Sequence, residues 1–210
     1  RQDSCTTGAL PITVHSRSRS PSPVPDSEFR ALYAQLVTLL EHTRTPYFII
    51  GGLATGVLGE PRLTHDVDAI VSVTQTTLVP LLGAAQEAAF TFTHETVTGD
   101  LRERGTFRLG FRQSWADLIA ASTDLERSAF TRVARYTILG IEANYPSPED
   151  FILLKLIPGR PKDLLDAEAV VARHADNLDR DYLDQWARWS ADHMEDFRVP
   201  NTLKRLHTRP

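Results

Sequence analysis

The sequence predicts an α/β (α+β) chain in which short β-segments flanked by helices give way to an all-helical C-terminal part. Three observations carry this. Apolar residues recur with a helical period at Phe29, Leu32, Tyr33, Leu36, Val37 and Leu40, the mark of one buried helix face. From Tyr47 to Tyr145 come short apolar or alternating runs separated by Gly, Pro and polar turns, the mark of strands. After Pro146-Ser147-Pro148 the pattern turns helical again.

Each element follows in order. Residues 1–25, rich in Ser, Pro, Arg and Thr, read as a disordered tail. Order begins at Asp26 or Ser27, either a good N-cap for the first helix. Tyr47 to Ile50 is a short buried strand running into Gly51-Gly52, and Leu53 to Leu58 is a brief helix ended by Gly59-Glu60-Pro61. Val67 to Val73 is the second strand, followed by a helix from about Thr77 to Ala89. Phe90 to Val97 reads as β-rich, closed by a Gly99-Asp100 turn. Thr106 to Arg112 alternates, with Phe107, Leu109 and Phe111 on one face and Arg108 and Arg112 on the other. A turn at Gln113-Ser114 returns it through Trp115 to Ala120 as a hairpin, and two more strands, Arg132 to Leu139 and Ile141 to Tyr145, flank Gly140. Helices are expected over Glu149 to Ile157, Lys162 to His174 and Asp181 to Met194. On this reading 26–146 is an α/β domain, 147–197 a helical part packed on it, and 198–210 a basic tail.

The chain has 210 residues, 41% hydrophobic and 24% charged, which is enough to bury a core without staples. Its single cysteine, Cys5, excludes a disulfide scaffold and a Cys-based zinc site. No run of about 18 apolar residues exists to span a membrane, and residues 1–25 lack the apolar stretch of a signal peptide. A soluble cytoplasmic domain is the expectation. The net charge is −4. Both ends are basic, so the middle of the chain is more acidic than that total. Such a middle is not the footprint of a general nucleic-acid binder; it suits carboxylates gathered around divalent cations. The basic C-terminus could touch RNA, although a short basic end is more often merely solvated.

The informative stretch is residues 47–71. Strand side chains alternate, so Thr64, Asp66 and Asp68 share one face and Val67, Ala69 and Val71 the other. Carboxylates two residues apart on a strand converge on divalent ions held ~3.5–4 Å apart, and a cation relieves the repulsion that would otherwise keep one of them protonated. A solvated strand end is the plain alternative. Gly51-Gly52, at a strand-to-helix turn, lets backbone N–H groups approach a phosphate. Asp117, between Ala116 and Leu118 in another strand, is either a third ligand or general base, or the partner of Arg108 or Arg112 across the hairpin. There is no Walker A sequence and no nucleophile elbow, so a P-loop enzyme is rejected.

An apolar strand, Gly-Gly, thirteen intervening residues, Asp66-Val67-Asp68 and a later apolar-Asp-apolar strand together resemble the nucleotidyltransferase superfold, the polymerase-beta-like family. Arg62-Leu63-Thr64-His65-Asp66-Val67-Asp68 is similar to the R-x-T/S-x-D-x-D variant of the AbiEii-type toxin group, and residues 146–174 resemble that group's C-terminal motif. The likeness covers about 45–175. It implies a mixed sheet flanked by helices and transfer of an NMP from an NTP to a hydroxyl of an RNA end, a protein or a small molecule. It further implies Mg²⁺ or Mn²⁺ held by Asp66, Asp68 and Asp117, a triphosphate cradled by Gly51 and Gly52 with Arg62 or Thr64 donating, and a toxin–antitoxin setting.

Lys162, Asp163 and Asp166 fall near one face of a helix. By pattern alone they are either ordinary surface salt bridges or site residues; the resemblance turns them toward the nucleotide. Lys155, in the apolar run Ile152 to Ile157, either snorkels or aims its ammonium at a phosphate. His65 points away from Asp66 and reads as structural, and Trp186 and Trp189 read as a helix core stripe. Two functions are therefore carried forward: a metal-dependent nucleotidyltransferase, and a catalytically inert binding or antitoxin module of the same fold. For either, Asp66, Asp68 and Asp117 are expected in one cleft lined by Gly51-Gly52, with Lys155 or Lys162 across it.

Overall fold

The amphipathic period at the start of the chain builds α1 (Asp26–His42). In the computed structural model, which describes residues 26–61, 64, 66–195 and 197–207, its Leu32, Tyr33, Leu36, Val37 and Leu40 are all buried. Burying one such side chain stabilises by roughly 1.5–3 kcal/mol, against about 0.7 kcal/mol separating ordinary helix formers. The packing face, more than propensity, therefore places the helix. The tail expected over 1–25 lies outside the described residues.

The chain then runs through β1 (Tyr47–Ile50), α2 (Gly51–Leu58), β2 (Val67–Val71) and α3 (Gln75–Glu87). Next come α4 (His94–Arg104), β3 (Thr106–Phe111), β4 (Ser114–Ala120) and α5 (Asp124–Ala129). A separate hairpin, β5 (Ala134–Ile138) with β6 (Ile141–Tyr145), precedes α6 (Pro148–Leu156), α7 (Pro161–His174), α8 (Arg180–Met194) and α9 (Arg198–His207). The main sheet is mixed, in the order β1-β2-β4-β3. Its outer pairs are antiparallel and the central pair, β2 with β4, is parallel. This is the expected mixed sheet flanked by helices.

Strand alternation divides the sheet into unequal faces. One face sends Ile49, Val67, Ala69, Leu118, Phe107 and Leu109 into the large core, which also takes residues from α1, α3 and α6 to α9. On the other face the buried Phe48 and Ile70, with Ala129 of α5, form a small apolar cluster. Ile50 and Ile119 pack against that cluster, and the candidate site residues Asp68 and Asp117 share the same face.

Three expectations need correction. Phe90 to Val97 is not a strand: Thr91 makes a single bridge to Gly110, and the Gly99-Asp100 turn lies inside α4. The Thr93 side chain accepts the Thr96 N–H and Gly105 ends the helix at φ 68. Only Val97 of this helix is buried, so no apolar period announced it. The hairpin turn falls at Arg112-Gln113, with Arg112 at φ 56, one residue earlier than expected. Third, residues 198–207 are not a solvated tail but α9, whose Val199, Leu203 and Leu206 enter the main core. Its basic residues occupy the outer face and hid an apolar i, i+4, i+7 stripe.

No helix among the described residues is long and apolar enough to cross a membrane. The placement of α9 sets a stability test: Leu203→Ala is expected to lower the unfolding free energy by about 2–4 kcal/mol, read by urea denaturation. A solvated tail would show no change.

Candidate active site

The site is built from one row of residues across the sheet. The strand registers place Ile50 opposite Asp68, Asp68 opposite Asp117, and Asp117 opposite Arg108. Parallel pairing of β2 with β4 therefore sets the two aspartates side by side, and Asp66 joins them just before β2. One carboxylate oxygen from each of Asp66, Asp68 and Asp117 lies within 4.8 Å of the others. Ligand oxygens on one octahedral magnesium ion stand about 3 Å apart when adjacent and about 4 Å apart when opposite, so the three carboxylates would draw together to hold an ion. The donor set is all oxygen, which suits a hard divalent cation.

Gly51 is explained by Asp68, and Gly52 by the threonine beside the acids. Gly51 adopts φ +64, and a Cβ there would overlap Oδ2 of Asp68; a Cβ on Gly52 would stand 2.5 Å from Cβ of Thr64. Thr64 in turn donates its hydroxyl to Oδ1 of Asp66 at 3.0 Å and to the Asp66 carbonyl at 3.1 Å. Thr64 thus orients Asp66. The first turn of α2, which begins at Gly51, has no side-chain cap, leaving its N–H groups to other partners.

A cleft of about 470 Å³ opens beside the acids, lined by Gly51, Gly52, Thr64, Asp66 and Asp68 on one side and by Lys155, Arg160, Lys162 and Asp163 on the other. Ile70, Ile119, Phe151 and Leu154 give it an apolar wall. Lys155, whose side chain is 11% exposed, donates from its ammonium to Oδ1 of Asp163 at 3.0 Å and to Oδ2 of Asp166 at 2.7 Å. Arg160 reaches the second Asp163 oxygen at 2.5 Å. Asp163 and Asp166 are buried, so they are not the solvated surface pairs that helix spacing alone suggests; they pin Lys155 between α6 and α7. Burial tends to raise the Asp163 carboxyl, but the bonds from Arg160 and Lys155 outweigh it and hold that carboxyl below its usual range. Asp166 meets the site through Lys155. Arg62 and His65 lie outside the described residues.

Asp117 has the arginine partner that one of its readings expects and the position that the other requires. It converges with Asp66 and Asp68, and it is also forked by Arg108, with Nε to Oδ1 at 2.7 Å and Nη2 to Oδ2 at 2.8 Å. Arg108 remains 55% exposed and Asp117 29%; a pair so wet contributes on the order of 1 kcal/mol or less. Two residues that sequence reasoning missed, Thr123 and Glu126, complete the lining. They form a capping box at α5, and the Thr-x-x-Glu spacing was the signal that would have found them.

Charge crowding appears at Asp68. Burial, then the neighbouring Asp66 and Asp117, push its carboxyl up to about 6, against a smaller opposing pull from Lys155 and Lys162. A carboxyl raised on folding stabilises the protein while protonated, and that stability is lost as pH rises through its folded value. In EDTA, wild-type protein is therefore expected to lose stability between about pH 4 and pH 7 relative to Asp68→Asn. The asparagine variant should be more stable at pH 7.5 by on the order of 1–3 kcal/mol, with the gap closing near pH 4. Thermal melts across that range check it.

The geometry agrees with what comparison finds. The solution structure of the antibiotic-resistance factor ANT(2'')-Ia is similar over 81% of this chain and 98% of that one, at 12% identity and a TM-score of 0.51. A crystal structure of an antigenic nucleotidyltransferase-like protein from Paracoccidioides brasiliensis matches 87% of this chain and 95% of that one, at 16% identity and a TM-score of 0.45. Lincomycin-bound LnuA, a lincosamide antibiotic adenylyltransferase, matches 67% of this chain and 94% of that one, at 14% identity and a TM-score of 0.46. No curated protein matches the chain. At these identities the first structure speaks for the fold alone. A family model described as "Nucleotidyltransferase of unknown function (DUF6036)" matches residues 27–206. The chain, so matched over most of its length, belongs to that nucleotidyltransferase family.

Proposed function

We propose that this chain is a divalent-cation-dependent nucleotidyltransferase that moves an NMP from an NTP to a hydroxyl acceptor. The observation that carries the reading is the convergence of three carboxylates within 4.8 Å beside a glycine turn that a side chain would block. Asp66 and Asp68 are the shared ligands, and Asp117, at the edge of the cluster, orients the acceptor hydroxyl and accepts its proton. Mg²⁺ or Mn²⁺ on these oxygens supplies the charge that offsets negative charge developing on the transferred phosphoryl group and the leaving pyrophosphate. The Gly51-Gly52 turn and the uncapped first turn of α2 offer N–H groups to the phosphates, and Lys162 faces them across the cleft. Lys155, held by Asp163 and Asp166, adds positive potential rather than a free ammonium. The apolar wall at Ile119, Phe151 and Leu154 suits a nucleobase. A cleft of about 470 Å³ is the size of a single small-ligand site, so the acceptor, whether RNA end, protein or small molecule, approaches from its open side.

The atoms balance simply: the acceptor oxygen bonds to the α-phosphorus, the bond from that phosphorus to the bridging oxygen breaks, and pyrophosphate leaves. The motif likeness to the AbiEii group supports a cytoplasmic toxin–antitoxin setting as part of this reading. A second reading, an inert binding or antitoxin module, is favoured by the Arg108 fork on Asp117.

Incorporation of label from α-³²P-NTPs into cell extract separates the two. The enzyme reading expects Mg²⁺-dependent labelling that drops at least 100-fold in Asp66→Asn/Asp68→Asn, since both shared ligands are lost. Labelling equal in wild type and double variant would leave the binding module. Gly51→Ala, which displaces Asp68 without removing it, is expected to cut labelling at least tenfold. Growth arrest on expressing wild type, absent with the double variant, is the expected sign of a toxin.

A further inference from the structure

Arg108 is the one charged residue of the acidic row to which the proposed transfer assigns no role. It stands next to Asp117 in strand register, takes both Asp117 oxygens with its fork, and lays its guanidinium over the Trp115 ring at 4.8 Å. We infer that Arg108 is a displaceable counter-cation, a latch that neutralises Asp117 until a divalent ion takes its place. The cluster then fills in two stages, with the Asp66–Asp68 position first and the Asp117 position only once the guanidinium has left. This rests on the reading of the cluster as a cation site.

Geometry distinguishes a latch from a permanent plug, and the chain contains both. Arg132 pairs with Glu149 at 2.8 Å and approaches Asp150 at 3.4 Å, carboxylates that are only 7% and 0% exposed. It is also stacked on Tyr182 at 3.9 Å. Breaking that pair would strand buried charge. Arg108 has the opposite surroundings: both it and its Trp115 platform are exposed, so the guanidinium can move into water with little desolvation in either position. Asp66 is held instead by the neutral Thr64 hydroxyl, which does not compete with a cation. The asymmetry predicts unequal sites.

Mn²⁺ binding, followed by electron paramagnetic resonance and calorimetry on the full chain without nucleotide, tests this. Wild type is expected to bind one Mn²⁺ and then a second more weakly. Arg108→Gln should tighten the second site about tenfold, equivalent to 1.4 kcal/mol, and leave the first unchanged; Arg108→Lys, which lacks the fork, should fall between. Asp117→Asn should remove the second site and make Arg108→Gln silent. Equal second-site affinity in wild type and Arg108→Gln overturns the latch while leaving the cation site standing. Absence of Mn²⁺ binding in wild type and all variants overturns the cation reading itself, and the latch with it. If Arg108→Gln unfolds, the Lys variant and the Mn²⁺-induced fluorescence change, expected to vanish in Trp115→Phe, decide the same question.

Discussion

Three like charges held within 4.8 Å are the constraint around which the rest of the site is arranged. At an effective dielectric of about 20, each pair at that distance repels by roughly 3–4 kcal/mol, more than any exposed ion pair returns. The protein meets this repulsion in several ways: Asp68 holds its proton to about pH 6, Arg108 forks Asp117, Thr64 donates to Asp66, and lysines face the cleft. None of these removes the conflict as completely as a divalent cation would. That residual strain, rather than the mere presence of acidic residues, is what marks the cluster as the candidate site.

The scaffold that enforces the crowding is the parallel pairing of β2 with β4, strands separated in sequence by α3, α4 and β3. Its grip comes from the opposite face, where Val67, Ala69, Ala116 and Leu118 are fully buried in the main core. Slipping the register by one residue would turn this apolar set to the cleft and the aspartates into the core, so hydrophobic burial fixes the acids' positions. The C-terminal helices serve the same end. Lys155 on α6, clamped by Asp163 and Asp166 of α7, sets the wall opposite the carboxylates, and α8 and α9 bury the outer side of that wall.

Much of this was legible in the sequence. Alternation placed Asp66 and Asp68 on one face, the run Phe107-Arg108-Leu109 announced a one-sided strand, and the glycine pair marked the turn. Elements that bury little were not legible. α4 contributes one buried residue, α5 is six residues long and marked only by its capping box, and α9 carries its apolar stripe among basic residues. Periodicity reports burial, so an element with a small or disguised buried face is nearly silent.

By itself, then, the sequence determined which residues could do chemistry and which face of each strand they occupy, because side-chain alternation is a local property of the backbone. Partnership was decided only in three dimensions. Asp117 could be a ligand or the mate of an arginine; the fold pairs it with Arg108 and sets it beside Asp68 in a single row. Lys155 could snorkel or meet a phosphate, and the packing of α6 on α7 gave it two carboxylates instead. Such outcomes depend on distances between segments far apart along the chain, which burial sets and no local pattern encodes.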